Sequence, residues 1–151
     1  MFHRILVICL VSFLAPALAL AEPLAPCKLI DQQALLALGL SAHTIKMEHK
    51  EIPITAGATR QFTDSCTYTP PNALLPSLTV TAMTMPSGNQ TATHACTDKS
   101  IPSAGLFMCS APFKNSVLTF VLLTKPSSDG AMKSVFPAQV ARLTKALPAR
   151  Q

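Results

Sequence analysis

Four cysteines downstream of an apolar leader constrain this chain more than any other feature. Met1 to Ala21 opens with Arg4, runs through Ile5-Leu6-Val7-Ile8-Cys9-Leu10-Val11 to Leu20, and ends on Ala19-Leu20-Ala21. Those alanines are small residues at the two positions a signal peptidase reads. The uninterrupted apolar run falls short of the roughly 20 residues that cross a membrane, and Pro16 lies within the leader. Residues 1–21 therefore read as a cleaved signal peptide. Cys9 leaves with it, and segment 22–151 retains Cys27, Cys66, Cys96 and Cys109. An even number of thiols in a compartment that oxidises them predicts two disulfides.

Four cysteines allow three connectivities, and spacing alone does not choose among them. Cys27 with Cys66 and Cys96 with Cys109 is the favoured pairing, because each bond then ties a helix or its entry to a nearby strand. Other uses of the thiols fit less well. No two are spaced C-x-x-C, as a redox centre requires, and no cluster of thiolates and imidazoles suits structural zinc. Leu24-Ala25-Pro26-Cys27 resembles a lipidation box, but Pro26 stands where such a box takes a small flexible residue. A lipidated Cys27 would also leave one of the other three thiols without a partner.

Segment 22–151 carries a formal charge of +4, one less than the +5 of the whole chain, because Arg4 departs. A chain of this length buries around two-thirds of its unfolded surface, enough for one core without metal or partner. Only 13% of residues are charged, against roughly a quarter in ordinary globular chains, which excludes a charge-driven disordered tail or a coiled coil. No internal repeat and no linker divides the segment, and no later stretch is apolar enough to span a membrane.

Periodicity then outlines the elements. Asp31 can cap a helix over Asp31–Leu38 with Ile30, Ala34, Leu35 and Leu38 on one side and Gly39 just past its end. His43–Glu51 reads as an exposed edge strand closed by Pro53 and Gly57. In Arg60–Thr69, Phe62, Cys66 and Tyr68 alternate with hydroxyls, as in a half-buried strand, and Pro70-Pro71 stops it. Leu78–Met85 sets Leu78, Val80 and Ala82 against Thr79, Thr81, Met83 and Met85. Asn89 can cap a Thr-rich helix through Cys96.

Leu106–Phe113 and Val117–Thr124 form a hairpin around Lys114-Asn115-Ser116, its second strand apolar on both faces and so central. A closing helix carries Met132, Phe136, Val140, Leu143 and Leu147 at helical spacing. Its regular part is expected to begin near Ser134, so that Pro137 falls in the first turn, where a missing donor costs little. The fold class is α+β, a mostly antiparallel sheet of about five strands with two or three helices packed on one face.

The run Cys27-Lys28-Leu29-Ile30-Asp31, then Leu38-Gly39, then Cys66-Thr67-Tyr68, resembles a pattern in small exported bacterial envelope proteins and lipoproteins of unknown function. There a cysteine opens a helix of the form C-x-L-L-[TD] ending in L-G, and a later C-x-[WY] lies on a strand. Val140-Ala141-Arg142-Leu143 through Leu147-Pro148 is similar to that family's closing helix. The resemblance implies this fold and an envelope location. It brings no activity, since the matching positions are cysteines, a capping glycine and core residues.

Candidates for chemistry are few. Of seven acidic residues, Glu48 and Glu51 fall on opposite faces of a strand, and Asp64, Asp98 and Asp129 sit beside turns or polar faces. His43, His49 and His94 can each serve as a base. No Gly-x-Ser-x-Gly elbow, H-E-x-x-H pair or phosphate-cradling glycine loop accompanies them, so no catalytic residue is assigned and no cofactor is expected. Met47, His49, Met83 and Met85 are soft ligands that suit Cu(I), although methionines more often fill apolar gaps.

The pI of about 9.1 suits a polyanion, but the cations are scattered. One Tyr and no Trp offer little for base stacking, which excludes specific nucleic-acid binding. Asn89-Gln90-Thr91 matches a glycosylation sequon. The function expected is a non-enzymatic, protein-binding module of the periplasm or the secreted fraction, acting on an envelope protein as an inhibitor or immunity-type partner. A small-ligand or Cu(I) carrier using the Met83/Met85 face and a cryptic hydrolase are the alternatives.

Overall fold

The computed structural model describes residues 25–52, 61–84, 93–114, 116–126 and 129–147. The signal-peptide segment, Pro53 and Gly57, Met85 and the Asn89 sequon lie outside them. A 3-10 turn, Pro26–Lys28, leads into helix α1, Gln32–Ala37. Six strands follow: β1 Thr44–Ile52, β2 Gln61–Thr69, β3 Ser77–Thr84, β4 Ala95–Asp98, β5 Gly105–Phe113 and β6 Ser116–Thr124. Helix α2, Asp129–Ala146, closes the chain. The strands form one sheet in the order β1-β2-β3-β6-β5-β4, with every neighbouring pair antiparallel.

The α+β class, the antiparallel sheet and both disulfides agree with the sequence reading. The bonds are Cys27–Cys66 and Cys96–Cys109, and they mark an oxidising, non-cytoplasmic compartment. No described helix is long and apolar enough to cross a membrane.

Alternation along the strands fixes which side is buried. Cys66 and Tyr68 of β2, Leu78, Val80 and Ala82 of β3, Leu118, Phe120 and Leu122 of β6, and Phe107 and Cys109 of β5 share one face and are all buried. Helix α2 covers β5 and β6 with Phe136, Val140, Leu143 and Leu147, while the 3-10 turn lies over β2 and β3, and α1 touches α2. Both helices therefore share one side of the sheet.

Local chemistry explains the ends of α1. Asp31 Oδ1 accepts from the Ala34 amide at 2.9 Å, the capping bond its position predicts. Gly39, at φ +76°, lets the chain reverse, so that the Leu40 amide donates to the Leu35 carbonyl at 2.7 Å and the Gly39 amide to that of Leu36 at 3.1 Å. This closes the helix with buried Leu35 and Leu40 in the positions that accompany such a cap.

Three expectations need correction. The sheet has six strands, not five, because the Thr-rich segment expected to be a helix through Cys96 ends in strand β4, with Cys96 directly opposite Cys109. Pairing with β5 and the bond between those cysteines set the extended form of Ala95 and Cys96. The second disulfide thus joins neighbouring strands, not a helix and a strand. Helix α2 begins at Asp129, five residues before Ser134, so Pro137 lies in its interior. The proline removes one amide donor, and the carbonyl four residues before it belongs to Lys133, an exposed residue. Met132 and Val135 packing on the core, with the Lys133–Asp98 ion pair at 3.1 Å, holds the additional turns in place.

Candidate binding face

The second face of the sheet carries no described element. Its side chains follow from strand register. One row across the sheet reads Lys46, Thr67, Thr79, Val121, Met108, Thr97, and the next reads Glu48, Ser65, Thr81, Thr119, Ser110, Ala95. A third runs Lys50, Thr63, Met83, Val117, Pro112. The charges all stand on β1. From β2 to β4 these rows are hydroxyls and small or apolar side chains at strand spacing. The hydroxyls bond sideways, Thr67 Oγ1 to Thr79 Oγ1 at 3.1 Å and Thr44 Oγ1 to Thr69 Oγ1 at 3.0 Å.

Strand β6 gives the sharpest contrast with expectation. It is central, as its apolar pattern implies, yet Val117, Val121 and Leu123 are only half-buried by their neighbours, with no described layer above them. Two-sided hydrophobicity was the sequence signal for this surface. By itself it could not distinguish an internal second layer from an external partner.

The residues that sequence reasoning singled out are dispersed. Met47 and His49 lie on the helix-side face of β1, opposite Cys66 and Asp64, whereas Met83 lies on the open face of β3. The register therefore keeps Met47 and His49 together on one face and Met83 on the other, and Met85 lies outside the described residues. Among the described residues no group of three or more His, Cys, Asp or Glu side chains is placed to hold a metal ion. The register also separates Glu48 from Glu51 onto opposite faces.

His43, His49, Asp64, Glu48 and Asp98 each have a local partner. His49 Nδ1 lies 2.5 Å from Asp64 Oδ1, and its ring stacks on Phe62 at 5.6 Å. His43 Nδ1 lies 3.1 Å from the Leu40 carbonyl, and its ring meets Tyr68 edge-on. Glu48 reaches Lys46 at 2.8 Å and Lys50 at 3.2 Å, which holds its carboxyl below the usual range. Asp98 accepts from the Ser100 amide and pairs with Lys133, and the Ser100 bonds foremost hold its pKa down at about 2. His94 is exposed beside a shallow depression shared with Ala111, Pro112, Ala141, Thr144 and Lys145.

Two contacts escaped the sequence reading. Arg142 donates through both terminal nitrogens to Asp31, at 2.7 and 2.8 Å, so the α1 cap is also the anchor of α2. Nothing in the local sequence around Arg142 hints at a partner 111 residues away. Tyr68 Oη donates to the Cys27 carbonyl at 2.9 Å, and burial raises its pKa to about 12. Cys66 and Tyr68, two apart on one strand face, thus hold the same residue, which gives the C-x-Y spacing a physical reason.

A cavity of roughly 190 Å³ opens between β4, β5 and α2, lined by Cys96, Asp98, Phe107, Lys133 and Phe136. This is below the roughly 300–1,000 Å³ of ordinary ligand pockets. No family model, curated protein or solved structure matches the chain.

Proposed function

We propose that the mature chain is an exported, non-enzymatic binding module of the bacterial envelope, in the periplasm or the secreted fraction. Its partner is another protein, and inhibition of, or immunity to, a periplasmic or cell-wall-acting enzyme is the role it fits. The observation that carries this reading is the open sheet face: broad, without charge from β2 to β4, and with half-buried Met108, Val117 and Val121 on its inner strands. Depletion of charge and the presence of Met are features this face shares with interface centres. Braced by two disulfides, such a surface presents itself with little ordering cost on binding.

The test is capture from envelope extract with the oxidised mature chain as bait, alongside Thr81→Arg, which places a cation in the middle of the neutral face. A stoichiometric protein captured by the wild-type chain and lost with the folded variant is expected. Recovery of no such protein, or capture unaffected by Thr81→Arg, overturns the reading.

A further inference from the structure

Strand β1 is an outer strand of nine residues, Thr44–Ile52, and among the described residues it pairs on one side only, with β2. A long outer strand offers a row of amides and carbonyls to another strand. Two of the five exposed large apolar side chains among the described residues stand on it, Ile45 at 53% and Met47 at 70% exposure. Both point to the helix side, and Lys46, Glu48 and Lys50 alternate on the other.

We propose that β1 pairs with β1 of a second copy of this chain, antiparallel, about a two-fold axis at Met47. The register follows from charge and then from hydrophobicity. Full overlap, centred on Glu48, would set Glu48 against its own copy and Lys46 against Lys50, and like charges directly opposite destabilise a strand pair. Centring on Met47 sets each Lys46 against the other copy's Glu48. Centring on His49 sets Lys50 against Glu48 and satisfies charge equally, but it leaves Ile45 beyond the paired region and places Met47 against Glu51.

Of the two charge-matched registers, only the one centred on Met47 covers the apolar pair, with Met47 on its own copy and Ile45 on His49. Opposite residues keep the same face, so the sheets join with their helices on one side. Each Glu48 already meets two lysines within its own strand. The cross-strand charges therefore select the register, while the backbone ladder and the apolar pairs supply the affinity. The neutral face from β2 to β4 is not consumed, so this pairing stands apart from capture of a partner protein.

Sedimentation equilibrium of the oxidised mature chain tests the pairing. A monomer–dimer equilibrium is expected, shifted to monomer by Lys46→Glu and restored by Lys46→Glu with Glu48→Lys, because the exchange returns opposite charges to facing positions. In the His49 register the double variant would set like positive charges at positions 48 and 50 against each other and remain monomeric. Met47→Cys is expected to give a disulfide-linked dimer under mild oxidation, while Ile45→Cys and Thr97→Cys do not. A monomer at all concentrations overturns the proposal, as do cross-linking through position 97 in preference to 47 and a double variant that fails to recover the dimer.

Discussion

The two disulfides sit in opposite settings. Cys27–Cys66 closes a separation of 39 residues, joins the 3-10 turn to the middle of β2, and has Cys66 wholly buried. Cys96–Cys109 closes 13 residues and joins two strands that already pair, with Cys96 exposed on the outermost one. Loop entropy alone separates them little, at roughly 4 against roughly 3 kcal/mol. The larger difference is in what each bond supports. The first holds Leu29, Ile30 and the α1 segment over β2 and β3, and Tyr68 and Arg142 reinforce it. The second holds one short strand at an edge.

Removing the bonds one at a time tests this contrast most strongly. Cys27→Ala with Cys66→Ala should cost at least about 4 kcal/mol, since detaching the N-terminal segment adds lost burial to the lost loop closure. That is much of a small domain's stability, so urea denaturation should find a barely folded protein at 37 °C. Cys96→Ala with Cys109→Ala should cost about 3 kcal/mol or less and leave the core's near-ultraviolet circular dichroism intact. Equal losses, or the reverse order, would break the comparison. Graded reduction followed by mass mapping gives a second reading: the bond at the exposed edge should open first.

The region around Cys27 also explains what the sequence did and did not reveal. Asp31 and Gly39 act within one turn of their own helix, so composition and spacing were enough to place α1. The sheet elements with two-residue alternation were legible for the same reason. Strand β4 was not, because Thr93 to Asp98 has little local preference and takes its form from β5. Pro137 points to a later start of α2, because its local penalty carries no sign of the burial of Met132 and Val135 that offsets it. The open face was visible only as hydroxyl alternation and as an apolar second side on β6; its joining into one neutral surface depends on strand order, which no local pattern carries.

The Asp31–Arg142 pair sharpens the comparison at intermediate size. Asp31→Ala removes both the α1 cap and the bidentate partner of Arg142, and should cost about 2 kcal/mol in chemical denaturation. Asp31→Ser keeps a capping oxygen while losing the ion pair, so its cost should be nearer about 1 kcal/mol. Both groups are partly exposed, Arg142 at 34% and Asp31 at 25%, which limits the ion pair's share. If the serine variant were as unstable as the alanine variant, the cap would contribute nothing and the clamp between the helices would account for the whole effect.

Titration separates the two regions with the smallest effects, at opposite ends of the pH scale. Burial raises the Tyr68 pKa from 10.0 to about 12, so the folded state favours the neutral phenol. Its contribution is complete below pH 10 and is lost as pH rises toward 12 and the unfolded chain ionises first. Tyr68→Phe should flatten that part of the alkaline decline in melting temperature. Asp98 behaves in the opposite sense.

The Ser100 bonds and Lys133 lower its pKa from 3.8 to about 2, so its contribution is present above pH 3.8 and is lost as pH falls toward 2. Asp98→Asn should therefore remove one part of the acid decline while leaving the alkaline limb unchanged. Because Asp98 lies on exposed β4, that acid change should be smaller than the alkaline change from Tyr68. A larger acid change would mean that Lys133 and Asp98 hold α2 to the sheet more firmly than the edge position of β4 implies.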